Sequence, residues 1–399
     1  MNKIKKLKAK PPACRNNSEN SVPYVKKVRQ LVPLLLDWFA ANARDLPWRC
    51  TSNPYAIWVS EIMLQQTQVK TVIPFWNRWM RELPTIEAAA NAPSAKIHKL
   101  WEGLGYYTRV RNLQKAAQVI VEKHGGNFPV EFEDALALPG IGRYTAGAIC
   151  SIAFNQPTPI LDGNVIRVLT RTFGIAENPK EKKTNAQLWQ LAEELVCCVK
   201  NAKKAKAVFT SPTSRPSRDT DSCSHLNQSL MEFGALVCSP RNPQCGICPV
   251  KKLCFAFKEN RVEELPNLGK REAATARRFI AFVIEQNGKF LVRQRPAGIA
   301  NAHLWEFPNV EVNGTKLDMP GIFRSEFGSL PEQISSLCTM KHSITRYRIT
   351  LEAFLVRPTR TIANSDGIWK TPSQMQTLAF TAAHKKLASA AVKSILSGR

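Results

Sequence analysis

Four cysteines between residues 238 and 254 constrain the fold of this chain more than any other feature of its sequence. They are Cys238, Cys245, Cys248 and Cys254, and six, two and five residues separate them. A structural zinc site is the main alternative, but zinc sites usually combine two short cysteine pairs that a longer stretch separates. Thiolates supplied by one compact segment favour a [4Fe-4S] cluster over zinc and over unligated thiols. The segment is therefore expected to be a loop that wraps one metal cluster.

Length and charge indicate several domains and a polyanionic partner. The chain has 399 residues, with 56 Lys and Arg against 31 Asp and Glu, which gives a formal net charge of +25. This length predicts two or three domains. Cations that neutralise phosphates release counterions, so the basic excess favours nucleic acid as the partner. A basic soluble enzyme without such a partner is the alternative.

Cysteine usage and the N-terminal residues bear on the compartment. The chain contains 11 cysteines, but secreted disulfide scaffolds are shorter and carry a signal peptide. The N-terminal lysines precede no apolar segment, so neither a signal peptide nor a membrane span is expected. We expect a cytoplasmic protein, associated with the nucleoid in a bacterium, that has no membrane partner.

The first two thirds of the chain are expected to form an all-α domain. Short amphipathic stretches, broken by Gly and Pro, recur over residues 29–199 and again over 225–260. Residues 1–28 are expected to be a basic disordered tail. Residues 200–224 are rich in Lys, Ser, Pro and Arg and poor in apolar residues, which indicates a flexible basic insertion.

The last third of the chain changes in pattern and is expected to form a separate α+β domain. Residues 261–277 lack periodicity and are interpreted as an interdomain linker. In residues 278–399, two apolar stretches flank Asn287-Gly288, a strong signal for a β-hairpin. A further strand over 348–356 and a C-terminal helix complete the expected domain.

A glycine-rich turn opens a helix near residue 143. Leu138-Pro139-Gly140-Ile141-Gly142 precedes a helical stretch that starts at Arg143. Glycines allow a close backbone approach, and a helix N-terminus directs free N–H groups at a phosphate. The turn alone is therefore weak evidence for DNA binding.

Two acids are candidates for paired catalytic roles. Glu61 lies within a helical stretch over 56–68 whose face is largely apolar. Burial disfavours its charged form and would keep a proton available for acid catalysis. Asp162 precedes another helical stretch, where a capping role is the ordinary interpretation. A helix N-terminus also favours an ionised carboxylate, so the two acids are expected to be pushed towards opposite protonation states.

The cysteine spacing resembles the iron–sulfur loop of the endonuclease III and MutY superfamily of helix-hairpin-helix DNA glycosylases. The stretches around Glu61 and Asp162 are similar to the MutY-type adenine glycosylases almost residue for residue. This resemblance implies an all-α helix-hairpin-helix domain with a [4Fe-4S] cluster loop. It also implies excision of a flipped adenine that is mispaired with 8-oxoguanine or guanine in double-stranded DNA, by a monomer that works in base excision repair.

The resemblance assigns roles to individual residues of this sequence. Glu61 matches the acid that protonates adenine N7 and then helps to activate water. Asp162 matches the carboxylate that stabilises the oxocarbenium-like sugar, through a covalent intermediate, and Tyr144 and Asn164 match residues that support this pair. The remaining matches bind the substrate (Arg44, Trp48, Arg49, Leu64, Gln66, Thr67, Leu104, Tyr106, Gln228 and Thr345) or DNA phosphates (Leu138, Gly140, Gly142 and Arg241). Among them, Gln66 and Tyr106 match side chains that intrude into the duplex at the lesion, as base flipping requires.

Tyr144 favours one chemistry within the superfamily. The endonuclease III branch carries at this position a lysine that forms an imine and nicks the strand, whereas this chain has Tyr144. Hydrolysis of the glycosidic bond alone is therefore expected. The alternatives are a bifunctional glycosylase with lyase activity and an inactive homologue that only binds DNA.

The C-terminal domain resembles the Nudix-like domain with which MutY enzymes recognise 8-oxoguanine. The match includes Leu304-Trp305-Glu306-Phe307-Pro308, but residues 298–337 carry no array of acids for magnesium, so pyrophosphate hydrolysis is not expected. The family's recognition loop, usually His-x-Phe-Ser-His, is matched by residues 342–346. Here Ile344, Thr345 and Arg346 replace its last three residues. The stacking that Phe provides is therefore lost, while Thr345 retains a hydroxyl.

Overall fold

The computed structural model describes residues 24–209, 222–269, 273–314, 317–344, 346–360, 362 and 366–397. The chain divides into two compact units. The first consists of the described parts of Met1–Asn91 and Asn112–Lys270, and the second of those of Ala92–Arg111 and Arg271–Arg399. None of the described helices combines the length and the hydropathy that a membrane-spanning helix requires.

Helices alone make up the regular structure of the described residues 24–269, which confirms the predicted all-α class for this part of the chain. Two 3-10 turns, Pro47–Arg49 and Lys251–Leu253, accompany them. The helices, in chain order, are α1 (Val25–Asn42), α2 (Pro54–Leu64), α3 (Val69–Glu82), α4 (Ile86–Asn91), α5 (Ser94–Trp101), α6 (Thr108–His124), α7 (Phe132–Ala137), α8 (Arg143–Phe154), α9 (Gly163–Phe173), α10 (Lys182–Phe209), α11 (Cys223–Leu236) and α12 (Phe255–Lys258).

Several helix ends differ from the expected ones. Helix α1 begins at Val25, so residues 25–28 of the expected disordered tail are helical, since Val28 packs into the core. Helix α10 continues through residues 200–209, where the sequence indicated a flexible insertion. This stretch is rich in Ala and Lys, and both residue types have a high helix propensity. The remainder of that insertion up to residue 221, and residues 1–23 of the expected tail, lie outside the described residues. Helix α2 ends at Leu64 rather than near residue 68, because Gln66 adopts a left-handed backbone conformation with φ of 57°.

The first unit is held together by an apolar core that several helices share. Buried side chains include Leu35 of α1, Ala148 of α8, Val168 of α9, Leu188 of α10 and Leu230 of α11. Because each of these helices presents apolar residues along one face, their packing removes those faces from water. The ends of α8, α9 and α11 that carry part of the candidate site are thus anchored to one shared core.

The second unit contains a seven-stranded mixed sheet. Its strands are β1 (Thr275–Gln286), β2 (Lys289–Gln294), β3 (Trp305–Glu306), β4 (Asn309–Glu311), β5 (Pro331–Ile344), β6 (Tyr347–Pro358) and β7 (Gly367–Lys370). The main order is β3-β2-β1-β6-β5, while β4 pairs with β1 and β7 with β2. Strands β1 and β6 are parallel, and β1 and β2 form the predicted hairpin. Asn287 and Gly288 both have positive φ, as a tight hairpin turn between twisted strands requires.

Helices cover both faces of this sheet. Ala281 and Val283 of β1 face a core that includes Leu387 of α15 (Ala382–Ser397) and Met375 of α14 (Pro372–Gln376). The alternating Ile280, Phe282 and Ile284 face a second core with Phe323 of α13 (Met319–Phe327). Burial on both faces explains why β1 is a continuous apolar run rather than an alternating one.

Residues 92–111 belong to the second unit, although the sequence indicated a single linker at 261–277. Buried Glu102 accepts hydrogen bonds from the Phe380 backbone N–H (3.0 Å), Lys99 Nζ (2.9 Å) and Lys385 Nζ (2.6 Å). Sequence periodicity carries no information about such long-range ion pairs. The assignment of residues 92–111 to the second unit therefore could not be predicted.

Candidate functional site

A cleft of about 680 Å³ lies in the first unit and collects most of the sequence-predicted site residues. Its walls come from the 3-10 turn after α1, the C-terminal part of α2, the turn before α8, the N-terminus of α9 and one face of α11. The predicted residues that line it are Arg44, Trp48, Arg49, Glu61, Leu64, Gln66, Thr67, Gly140, Gly142, Tyr144, Asp162, Asn164 and Gln228.

Glu61 lies near the end of α2 with 5% of its surface exposed. The helix begins with an Asn53 cap, whose side chain accepts hydrogen bonds from the N–H groups of Tyr55 and Ala56. The Tyr144 hydroxyl donates a hydrogen bond to Glu61 Oε2 at 2.8 Å. Burial raises the pKa of Glu61 to about 7, and the Asp162 charge adds to this, while Tyr144 and Arg49 oppose it. A protonated Glu61 is therefore available near neutral pH, as the sequence predicted.

Asp162 is the N-cap of α9, the ordinary role that its position indicated. Its Oδ1 accepts from the Val165 N–H at 2.7 Å, and its Oδ2 accepts from Asn164 Nδ2 at 3.0 Å. These bonds favour the ionised carboxylate, but burial outweighs them and raises the pKa of Asp162. The pKa values of both acids thus shift upwards, not in the opposite directions expected from the sequence. The helix position alone did not reveal how deeply the cleft buries Asp162.

Asn164 connects this carboxylate to the cysteine segment. Arg167 Nη2 donates to Asn164 Oδ1 at 2.8 Å, and Arg167 Nε donates to the Cys238 carbonyl oxygen at 2.7 Å. A Cβ atom on Gly234 would lie 2.7 Å from Asn164 Cβ, so only glycine allows α11 to approach α9 this closely. The close approach fixes the orientation of Asn164 beside Asp162.

The four cysteines of the segment 238–254 surround one small cavity together with Arg171, Val250 and Phe257. Arg171 donates to the Ser239 carbonyl oxygen at 2.8 Å and to Cys238 Sγ at 3.5 Å. Nowhere in the described chain do three or more His, Cys, Asp or Glu residues form a group spaced to hold a single metal ion. A ring of four thiols with an arginine beside it fits an iron–sulfur cluster, which uses thiolate ligands and responds to nearby hydrogen-bond donors.

Helices α7 and α8 form the predicted helix-hairpin-helix. Gly140 has a φ of 76°, and a Cβ there would lie 2.5 Å from Asn112 Cβ. Gly142 is the N-cap of α8, so the first N–H groups of that helix are free to meet a phosphate. Leu138 is buried under the turn, and Arg241 is exposed on the cysteine segment.

The predicted intruding side chains both stand on strained backbone. Gln66 in the first unit and Tyr106 in the second have φ values of 57° and 49°. Such conformations cost a non-glycine residue about 1–3 kcal/mol and cluster at functional sites. Tyr106 is 48% exposed, so it is not part of the apolar core. Leu104, two residues before Tyr106, is buried in the second unit.

The C-terminal recognition residues are only partly described. Ser343 and Ile344 form the end of strand β5, and Arg346 is exposed just before β6. Thr345 lies outside the described residues.

Glu232 is a charged residue of the cleft that was not predicted from the sequence. It lies on α11 four residues after Gln228, on the same face, and accepts hydrogen bonds from Arg44 and Arg49. An acid on a largely apolar helix was the signal that pointed to Glu61. The same signal is present in the stretch 226–237.

Comparisons with known protein families agree with this geometry. The chain matches base excision DNA repair proteins of the HhH-GPD superfamily over residues 59–194. Residues 238–254 match the iron-sulfur binding domain of endonuclease III. Residues 280–390 match the NUDIX domain.

Individual relatives share about a third of the sequence. The adenine DNA glycosylase of Homo sapiens is 34% identical over 421 residues, which cover 88% of this chain and 72% of that protein. The adenine DNA glycosylase of Buchnera aphidicola subsp. Schizaphis graminum is 33% identical, and the match covers 84% of this chain and 91% of that protein. That of Rattus norvegicus is 38% identical, with 69% and 59% covered, so the match spans less than two thirds of the rat protein. Among solved structures, a thermostable thymine-DNA glycosylase is 30% identical with a TM-score of 0.49, covering 59% of this chain and 99% of that one.

Proposed function

This chain belongs to the adenine DNA glycosylase family, and we propose that its cleft excises adenine mispaired with 8-oxoguanine or guanine in duplex DNA. The observation that carries this proposal is the buried Glu61 carboxyl, hydrogen-bonded to Tyr144 and close enough to Asp162 to feel its charge. Glycosidic cleavage needs an acid for the leaving group and an anion for the sugar cation. The cleft supplies both groups.

In the proposed reaction, Glu61 donates its proton to N7 of the flipped adenine. The C1′–N9 bond then breaks, and its electron pair leaves with the base. The Asp162 carboxylate captures the cationic C1′ as an ester, which water displaces after giving a proton back to Glu61. One water is consumed, and free adenine and an abasic site are formed.

Tyr144 and Asn164 support this pair by orientation. Tyr144 has its pKa raised well above the ordinary value, first by burial and then by the Glu61 and Asp162 charges. It therefore remains a neutral hydrogen-bond donor that directs Glu61 Oε2. A phenol cannot form the imine on which lyase chemistry depends, so we infer a monofunctional enzyme.

The chain carries a [4Fe-4S] cluster, and we assign Cys238, Cys245, Cys248 and Cys254 as its ligands. When bound, the cluster supplies iron–thiolate cross-links that order the loop. Exposed Arg241, Lys251 and Lys252 on this loop, together with the N–H groups at Gly142, are assigned to DNA phosphates. Arg167 ties the ordered loop to Asn164.

The two units of the chain are assigned different functions. We assign the first unit to base excision and the sheet of the second unit to recognition of oxidised guanine. The enzyme is proposed to act as a monomer wherever the cell keeps its DNA, which is the cytoplasmic nucleoid in a bacterium.

A labelled duplex tests the function. With the label on the adenine strand of an 8-oxoguanine:adenine duplex, we expect strand cleavage only after alkali treatment. Cleavage without alkali would favour a bifunctional lyase, and binding without either product would favour an inactive homologue. A matched duplex with thymine opposite adenine serves as the control and should remain intact.

The raised pKa of Glu61 predicts the pH dependence of excision. Because only the protonated Glu61 can donate and only the ionised Asp162 can capture the sugar, the single-turnover rate should be highest on the acid side of pH 7, where Asp162 is still ionised. It should then fall about tenfold per pH unit above about pH 7, where Glu61 ionises. Rates measured between pH 5 and 9 check this expectation, and a rate that still rises at pH 9 would contradict it.

A further inference from the structure

The Glu232 carboxylate joins two arginines in the wall of the cleft. It is 2% exposed and accepts from the Arg44 backbone N–H (3.1 Å), Arg44 Nε (2.8 Å) and Arg44 Nη2 (2.6 Å). It also accepts from Arg49 Nη1 and Nη2, both at 3.1 Å. An ionised carboxylate offers about four lone-pair sites, so these contacts saturate Glu232.

The arginines in turn are fixed by this carboxylate. Arg49 donates a further bond to the Arg44 carbonyl oxygen at 3.0 Å, and its guanidinium lies 5.2 Å from the centre of the Phe39 ring. Bidentate geometry on both arginines defines their planes as well as their positions. Burial alone would raise the pKa of Glu232, but Arg44 and Arg49 outweigh it and lower that pKa to about 2. Glu232 is therefore ionised throughout the working pH range.

We propose that Glu232 is a positioning residue that holds Arg44 and Arg49 in the cleft wall and compensates their charge, leaving the Glu61 carboxyl free to donate its proton. This inference rests on the proposed role of Glu61 as the acid. It adds to that role the reason why a carboxyl exposed to the Arg49 charge stays protonated.

Four groups from four elements act on Glu61. Tyr144 comes from α8, Asp162 from the start of α9, Arg49 from the 3-10 turn after α1, and Glu232 acts through Arg49 from α11. The Arg49 charge already favours ionised Glu61. Without the Glu232 charge, Arg49 would be an uncompensated cation beside the cleft, and it would stabilise ionised Glu61 more strongly. The reactive, protonated fraction of Glu61 would then fall.

Glu232→Gln tests this inference because it keeps the shape of the side chain and removes its charge. If the pKa of Glu61 falls by about one unit, the excision rate at about pH 7.5 should fall about tenfold. The alkaline limb of the pH profile should shift by about one unit towards lower pH, so that the excision rate returns to near the wild-type level at about pH 5.5. Glu232→Asp, which keeps the charge, should restore the wild-type limb.

The control is Glu264→Gln, which removes an exposed carboxylate paired with Arg261 outside the cleft. It should leave the profile unchanged. The inference is overturned if the pH profile of Glu232→Gln superimposes on that of the wild type. It is also overturned if the rate is lowered equally at every pH, because a purely structural role produces that result. These outcomes require an active wild-type enzyme, whereas a wild type that releases no adenine contradicts the proposed function itself.

Discussion

Replacing Glu61 by glutamine is expected to lower the single-turnover rate of adenine excision by about 10²–10⁴-fold, the usual contribution of a positioned general acid. Glutamine keeps the size of the side chain and can still accept from Tyr144, but it has no proton to give to the base. Binding of the mispaired duplex should remain near the wild-type level, because Glu61 acts in the transition state and phosphate contacts supply most of the affinity.

The stability of this variant separates chemistry from folding. The folded protein keeps the Glu61 proton to about pH 7, whereas the unfolded chain releases it near the ordinary glutamate pKa of 4.5. Wild-type stability is therefore reduced as the pH rises through this interval. Glu61→Gln removes that cost and should unfold at an equal or higher temperature at pH 8. Glu194→Gln is a matched control, because burial also raises the pKa of Glu194 to about 7 but Glu194 lies outside the cleft. It should show the same effect on stability and leave the excision rate unchanged. Rapid excision by Glu61→Gln would remove Glu61 from the acid role.

Replacing Cys245 by serine is expected to cost the protein its cluster and several kcal/mol of stability, since ligand binding and folding are coupled at such sites. A loss of this size lowers the melting temperature by about 10 °C in a unit of this length. Iron content, the visible absorption band and the affinity for mispaired duplex should fall together, because the same loop carries Arg241.

The exposed thiol of Cys50, which lies outside the cysteine segment, provides the control variant Cys50→Ser. It should retain iron, melting temperature and DNA affinity. A Cys245→Ser protein that is colourless and free of iron but fully active and stable would contradict the structural role of the cluster.

Part of the cleft could be predicted because local patterns report burial, and the resemblance to the adenine glycosylases supplied the other predicted cleft residues. The apolar face around Glu61, the N-terminal position of Asp162 and the glycines before α8 each reflect the environment of one helix end. The hairpin at Asn287-Gly288 is equally local, since positive φ at both positions is a property of the turn itself.

The features that could not be predicted depend on partners distant in sequence. Glu232 binds Arg44 across 188 residues, and Glu102 meets Lys385 across 283. The direction of the Asp162 pKa depends on how far neighbouring helices bury its carboxylate. Long-range ion pairs and the depth of burial are set by tertiary packing, and neither the charge pattern nor the periodicity of the sequence reports them.

The most direct test of the central claim is the amount of free adenine released from an 8-oxoguanine:adenine duplex, measured by chromatography and mass spectrometry. We predict one adenine for each alkali-sensitive site formed by the wild-type enzyme, and almost none for Glu61→Gln in the time that the wild type needs for one turnover. Alkali-sensitive sites formed without free adenine, or adenine released equally by Glu61→Gln, would contradict the account.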